Sequence, residues 1–73
     1  MIFLRILGSN NYIESVKFDS SHNATEVIKT SNVFKANDFT TMLNFSSNYN
    51  KLESLKAWIR QNEQTLIEKV KVL

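Results

Sequence analysis

The chain of 73 residues contains no cysteine and no proline, and it has one glycine and one histidine. Without cysteine it can form no disulfide, no thiolate nucleophile and no cysteine-ligated zinc site. Because small extracellular domains are usually stabilised by disulfides, this composition predicts an intracellular, cytoplasmic protein. A lone histidine, His22, cannot build a metal site, and one glycine, Gly8, excludes a glycine-rich phosphate loop. We therefore expect no metal and no cofactor.

Long hydrophobic runs are absent as well. The longest apolar segment, residues 1–7, is interrupted by Arg5 and is too short for a transmembrane helix. It also lacks the basic leader and the small-residue cleavage site of a secretion signal. We therefore expect no membrane association and no export.

The composition nevertheless suffices for one small folded domain. Hydrophobic residues make up 42% of the chain and aromatic residues 11%, which is typical of a globular protein. A chain of this size buries about 60% of its surface on folding, enough for one sheet with a helix on it. It leaves little room for an enclosed pocket. We predict a single α+β domain over residues 1–73, with no small-molecule substrate.

Alternating apolar residues predict strands in the first half of the chain. The first strand, from Ile2 to Leu7, is apolar on both faces, which is typical of a central strand. A polar turn follows it, and Tyr12 to Phe18 predicts the second strand. Residues 39–45 alternate in the same way and predict the fourth strand.

Residues 24–30 fit either a helix capped at Asn23 or a third strand rich in β-branched residues. We favour the strand, because a hairpin with the second strand then pairs oppositely charged residues across the ladder. The predicted pairs are Lys17 with Glu26, Val16 with Val27, and Glu14 with Lys29.

The remainder of the chain predicts a helix from an N-cap at Asn50, with Glu53 completing a capping box. Its apolar positions fall on one narrow stripe: Leu52, Leu55, Ile59, Leu66, Val70 and Leu73. The predicted architecture is a β-meander of about four antiparallel strands packed by this one long C-terminal helix.

The apolar stripe is interrupted, because Asn62 and Glu63 face inward between Ile59 and Leu66, and a buried carboxylate is costly. Three explanations remain open. The helix ends near residues 61–64 and a separate strand or short helix follows, or the second half of the helix packs on a partner chain. Alternatively, Glu63 lies at the hydrated edge of a shallow groove.

The end of the chain is rich in apolar residues that so small a core need not reach. Exposed, they would form the kind of patch that marks an interface, and a homodimer is the commonest way to cover it. The alternative is that they complete one monomeric core. Trp58 lies beside the stripe and has the character of a binding hot spot. The predicted partner-binding residues on the helix are Trp58, Lys51, Lys69, Leu66, Val70 and Leu73.

Nothing in the sequence indicates catalysis. No pair of carboxylates stands out, and the histidine has no pattern-linked serine or aspartate. We therefore predict a non-catalytic interaction or regulatory protein that binds and modulates a larger host or viral protein. Its asparagine- and serine-rich composition suggests a phage or mobile element as the source.

The alternative function is binding of single-stranded nucleic acid on the sheet, where cations alternate with aromatic residues. Its predicted residues are Arg5, Lys17, Lys29, Tyr12 and Phe18. The chain combines four predicted strands and a following helix with the local sequences Ile6-Leu7-Gly8, Tyr12-Ile13, Val16 to Phe18, and Leu55 to Ile59. This pattern resembles the positive-cofactor-four family of single-stranded-DNA-binding coactivators. That resemblance implies a dimer that binds DNA.

Overall fold

The computed structural model describes residues 1–44 and 48–71. Three strands come first: β1 (Ile2–Ile6), β2 (Tyr12–Phe18) and β3 (Ala24–Thr30). After a short 3-10 turn (Val33–Lys35) come helix α1 (Thr40–Asn44), helix α2 (Tyr49–Glu63) and strand β4 (Ile67–Lys71). The strands form one antiparallel sheet in the order β3-β2-β1-β4. The predicted α+β class, the four-stranded antiparallel sheet and the central position of the first strand are confirmed.

The fourth strand is not where the sequence predicts it, since the strand predicted at residues 39–45 is wrong. Asp38 accepts hydrogen bonds from the backbone nitrogen and the hydroxyl of Thr40, at 3.0 and 2.6 Å. The Leu43 nitrogen then donates to the Phe39 carbonyl, at 3.0 Å, as in a helical turn. This local capping starts α1 instead of a strand. Phe45 lies outside the described residues.

The long C-terminal helix is also wrong, because α2 is mid-chain and ends at Glu63. Gln64 follows in the left-handed conformation, with φ 55°, which stops the helix. The Leu7 nitrogen donates to the Leu66 carbonyl, at 2.8 Å, and β4 then pairs with β1. Of the three explanations for the interrupted stripe, the separate strand is the one observed. The sheet is consequently not a simple meander.

The predicted N-cap at Asn50 is wrong as well. The helix begins at Tyr49, and its N-cap residue, Asn48, makes no capping hydrogen bond with its side chain. Glu53 instead accepts a hydrogen bond from the Tyr49 hydroxyl, at 3.2 Å, and this raises the pKa of Tyr49.

The β2–β3 hairpin confirms the strand predicted at residues 24–30. Lys17 lies opposite Glu26 and Val16 opposite Val27, as predicted. The predicted pairing of Glu14 with Lys29 is wrong, because a bulge shifts the register between Ile13 and Ser15. Ile13 therefore takes the place opposite Lys29 and is fully buried, so that an apolar side chain and not a carboxylate enters the core.

The core lies between α2 and one side of the sheet, which we call the helix side. Its buried residues are Leu4, Ile6, Ile13, Val27, Phe39, Leu55 and Ile59. Residues that alternate with these along each strand lie on the opposite side of the sheet. There Phe3 packs edge-to-face against Tyr12, with ring centroids 6.2 Å apart.

Candidate functional site

Strand β4 lies at one edge of the sheet, where β1 is its sole strand neighbour among the described residues. The hydrogen bond from Leu7 to Leu66 fixes which backbone groups face β1, because bonding alternates along an antiparallel pair. Glu68 and Val70, opposite Arg5 and Phe3, turn their backbone groups toward β1. The N–H and C=O groups directed away from the sheet are those of Ile67, Lys69 and Lys71.

The side chains of these three residues extend to the helix side. Their partners in the register are Ile6, Leu4 and Ile2 respectively, and Ile6 and Leu4 belong to the core beneath α2. Ile67 accordingly packs against that core, whereas Lys69 and Lys71 are exposed. Two cations thus stand beside an unpaired strand edge.

A shallow groove runs between this edge and α2. One depression of about 290 Å³ is lined by Lys56, Arg60, Leu66 and Ile67. A neighbouring depression of about 360 Å³ shares Lys56 and Arg60, which lie one helical turn apart. We call the surface formed by Lys56, Arg60, Leu66, Ile67, Lys69 and Lys71 the β4 edge groove.

The β4 edge groove holds most of the uncompensated positive charge. Lys56 forms an ion pair with Glu53, at 3.4 Å. Arg60, Lys69 and Lys71 form no hydrogen bond or ion pair with any residue in 1–44 or 48–71. Five basic side chains of the described residues form no ion pair, and these three are among them; the other two are Lys35 and Lys51.

The predicted partner-binding residues do not share one helix face. Trp58 lies on α2 and packs half-buried against the core, and the Lys51 ammonium lies 5.5 Å from the centre of the Phe18 ring. Lys69 and Leu66 belong to the β4 edge groove. The other two are elsewhere: Val70 is on the opposite side of the sheet, across from Phe3, and Leu73 is outside the described residues.

Four residues of the β4 edge groove were not among the predicted binding residues: Lys56, Arg60, Ile67 and Lys71. The signal that could have found the three cations is the charge distribution. Residues 1–45 carry equal numbers of acidic and basic side chains, so the net positive charge lies in residues 46–73. The sequence did not predict that residues 67–71 form a strand beside α2, which brings these cations together.

The residues predicted to bind single-stranded nucleic acid are divided between the two sides of the sheet. Arg5, Lys17 and Tyr12 lie on the opposite side, whereas Lys29 and Phe18 lie on the helix side. Each cation is neutralised by a carboxylate, as shown by the pairs Arg5–Glu68, Lys17–Glu26 and Lys29–Glu63. The hydrogen bond to Glu68 raises the pKa of Arg5 above its ordinary value. The structure therefore does not bring this set together.

Two aspartates hold turns. Asp38 accepts hydrogen bonds from Thr40 and from the Ile2 nitrogen, which lowers the pKa of its carboxyl from 3.8 to about 2. Asp19 accepts from the backbone nitrogens of Asn23 and Ser21, and the bond from Asn23 is the main cause of its lowered pKa.

Across residues 1–44 and 48–71, no three acidic, histidine or cysteine side chains are grouped so that they could hold a metal ion. No helix in the same ranges has the length and apolar character needed to cross a membrane. His22 is exposed in the β2–β3 turn, with φ 66°.

Comparison of the chain with protein-family models, with curated proteins and with solved structures finds no match. The order of elements also differs from four strands followed by a helix, on which the resemblance to the positive-cofactor-four family rests.

Proposed function

We propose that this chain is a non-catalytic protein-interaction module that binds its partner along the β4 edge groove. The observation that supports this is the free edge of β4, where Ile67, Lys69 and Lys71 direct their N–H and C=O groups away from the sheet. A partner segment in the extended conformation can satisfy these groups by adding a fifth strand. This is a common mode of peptide recognition, in which main-chain hydrogen bonds supply affinity.

A second copy of this chain, which the sequence predicts as a partner, fits this edge less well. Two-fold antiparallel pairing of two β4 strands centred on Lys69 places Lys69 opposite Lys69 of the other copy. Centring the pair on Glu68 places two carboxylates opposite each other. Like charges directly opposite are destabilising, and lysines on an edge strand discourage self-association. We therefore propose a different protein as the occupant.

The mode of action we propose is occupancy. A module of this size regulates a larger protein by covering part of its surface, and no chemical step is required. We further propose an intracellular setting, for which the cysteine-free composition is the support.

The decisive variant is Lys69→Pro. Proline removes one N–H, and at Lys69 that N–H points away from β1, so the β1–β4 ladder stays intact. Lys69→Ala is the matched control, because it removes the same charge and keeps the N–H. A peptide-display selection on the wild-type protein supplies ligands, whose affinities are then measured by fluorescence anisotropy.

We expect Lys69→Pro to weaken the selected peptides about tenfold or more, since it removes one main-chain hydrogen bond and blocks close approach. Lys69→Ala should weaken them less. Far-UV circular dichroism should show that both variants remain folded. If the selected peptides bind the folded proline variant as tightly as the alanine variant, the proposal is wrong.

A further inference from the structure

We infer that the segment that pairs with β4 is acidic, with carboxylates at every second position. This inference rests on the proposed function, because it specifies the partner of the same β4 edge groove. It follows from the placement of the unpaired cations relative to the strand edge.

The first step is the periodicity of a strand. Side chains at positions i and i+2 lie on the same face, separated by about 7 Å. An added strand therefore presents every second side chain to the helix side, directly across from Ile67, Lys69 and Lys71. Two of these three positions are cations without a partner among the described residues. Opposite charges at cross-strand positions stabilise the pair.

The third helix-side residue of the added strand is the one across from Ile67. It lies beside Arg60 and Lys56. A glutamate there can extend over the depression that these residues line. Arginine suits this role, since its planar guanidinium can donate two parallel hydrogen bonds to one carboxylate. Three consecutive helix-side positions thus favour glutamate.

The intervening positions face the other side of the sheet and differ in chemistry. There the added strand meets Val70 and Glu68, and Glu68 is already paired with Arg5. An apolar β-branched residue suits Val70, and a neutral one suits Glu68. For antiparallel pairing, the arrangement of every other pair in this sheet, the complementary sequence is Glu-Val-Glu-Thr-Glu.

Single-stranded nucleic acid is another polyanion that could meet these cations. Its binding sites usually place exposed aromatic rings beside the cations so that bases can stack. The β4 edge groove contains no aromatic residue, and Trp58 on α2 is half-buried against the core. An acidic strand also forms hydrogen bonds with the free backbone groups of β4. The phosphates of a nucleic-acid backbone do not repeat at the spacing of these groups.

The probe is a fluorescein-labelled peptide with the core Glu-Val-Glu-Thr-Glu, capped at both ends. Its matched controls are the core Gln-Val-Gln-Thr-Gln and the core Lys-Val-Lys-Thr-Lys. We expect the acidic peptide to bind about tenfold more tightly than the glutamine peptide at low salt. The reason is that the glutamine peptide lacks the three opposite-charge pairs. The difference should shrink as salt rises, since these pairs are exposed.

A charge exchange identifies the residues responsible. The double variant Lys69→Glu with Lys71→Glu should lose affinity for the acidic peptide about tenfold and gain affinity for the lysine peptide. Lys35→Glu is the matched control. Lys35 is also an exposed cation without a partner among the described residues, but it follows the opposite edge strand, β3. It should change either affinity less than about twofold.

Backbone methylation separates strand pairing from simple charge attraction. In the antiparallel arrangement, the N–H groups of the three glutamates point to β4, and those of valine and threonine point away. N-methylation of the central glutamate should therefore abolish the advantage of the acidic peptide. N-methylation of the valine should be tolerated.

Three outcomes would overturn the inference. Equal affinity for the acidic and glutamine peptides, with loss of both in Lys69→Pro, would retain edge pairing but reject the acidic partner. Binding of oligothymidine that is lost in the double glutamate variant but unaffected by Lys69→Pro would replace both proposals with nucleic-acid binding. A dimer in light scattering that Lys69→Pro converts to a monomer would assign the edge to a second copy.

Discussion

The Lys29 ammonium lies 2.6 Å from the Glu63 carboxylate, and this ion pair joins strand β3 to the last residue of helix α2. The two side chains are 37% and 23% exposed. The inward-facing carboxylate that interrupts the apolar stripe of the sequence therefore has a specific partner across the helix–sheet interface. It fixes the end of α2 over the sheet, just before the chain turns into β4.

We predict that a double-mutant cycle with Lys29→Met and Glu63→Gln gives a coupling free energy of about 0.5–1 kcal/mol. Urea denaturation measures the four free energies of unfolding. The matched pair is Lys17 and Glu26, which is 74% and 48% exposed, so its coupling should be smaller. Equal coupling in the two pairs would show that partial burial contributes nothing here.

We predict that Gln64→Gly stabilises the protein. Gln64 has φ 55°, a conformation that glycine adopts without the steric cost of a Cβ. The expected gain in the free energy of unfolding is only about 0.5 kcal/mol. The larger conformational entropy of glycine in the unfolded chain offsets part of the relieved strain. Gln61→Gly is the control inside α2 and should destabilise by about 0.5–1 kcal/mol. A loss of stability for both variants in urea denaturation would contradict this account of the helix end.

We predict that Asp38 contributes stability that disappears in acid. The pKa of this carboxyl is about 2 in the folded protein, below its ordinary value of 3.8, because Thr40 and the Ile2 nitrogen donate hydrogen bonds to it. A lowered folded-state pKa means that the contribution is complete above about pH 4 and is lost as the pH falls toward 2. Asp38→Asn should therefore lower the Tm at pH 6, and the difference from wild type should narrow between pH 4 and pH 2.

Glu14→Gln serves as the control for this pH series, because Glu14 forms no hydrogen bond or ion pair with the described residues. Its Tm should follow that of the wild type at every pH. A difference in Tm between Asp38→Asn and wild type that stayed constant down to pH 2 would contradict this prediction. It would show that the variant is less stable for a reason other than the lost negative charge.

Local patterns predicted the elements whose determinants are close in sequence. Alternation placed β1 and β2, and complementary pairs such as Lys17 and Glu26 identified β3 as the hairpin partner. The predicted pairing of Glu14 was wrong, because a bulge shifts the register between Ile13 and Ser15. No glycine or proline in the sequence indicates this bulge. The strand predicted at residues 39–45 was also wrong, because alternation is present there but the side chain of Asp38 caps a helical turn.

The sequence by itself determined the first three strands, the buried helix positions Leu55 and Ile59, and the excess of cations in residues 46–73. Only the tertiary structure decided that Ile67–Lys71 pairs with β1, because that strand obtains its hydrogen bonds from residues more than 60 positions earlier. An apolar stripe continues equally well through a helix or into a strand, and a single left-handed residue, Gln64, separates the two. The β4 edge groove exists because residues 67–71 form a strand. In a continued helix Lys69 and Lys71 would flank the apolar stripe, whereas in β4 they lie beside an open strand edge.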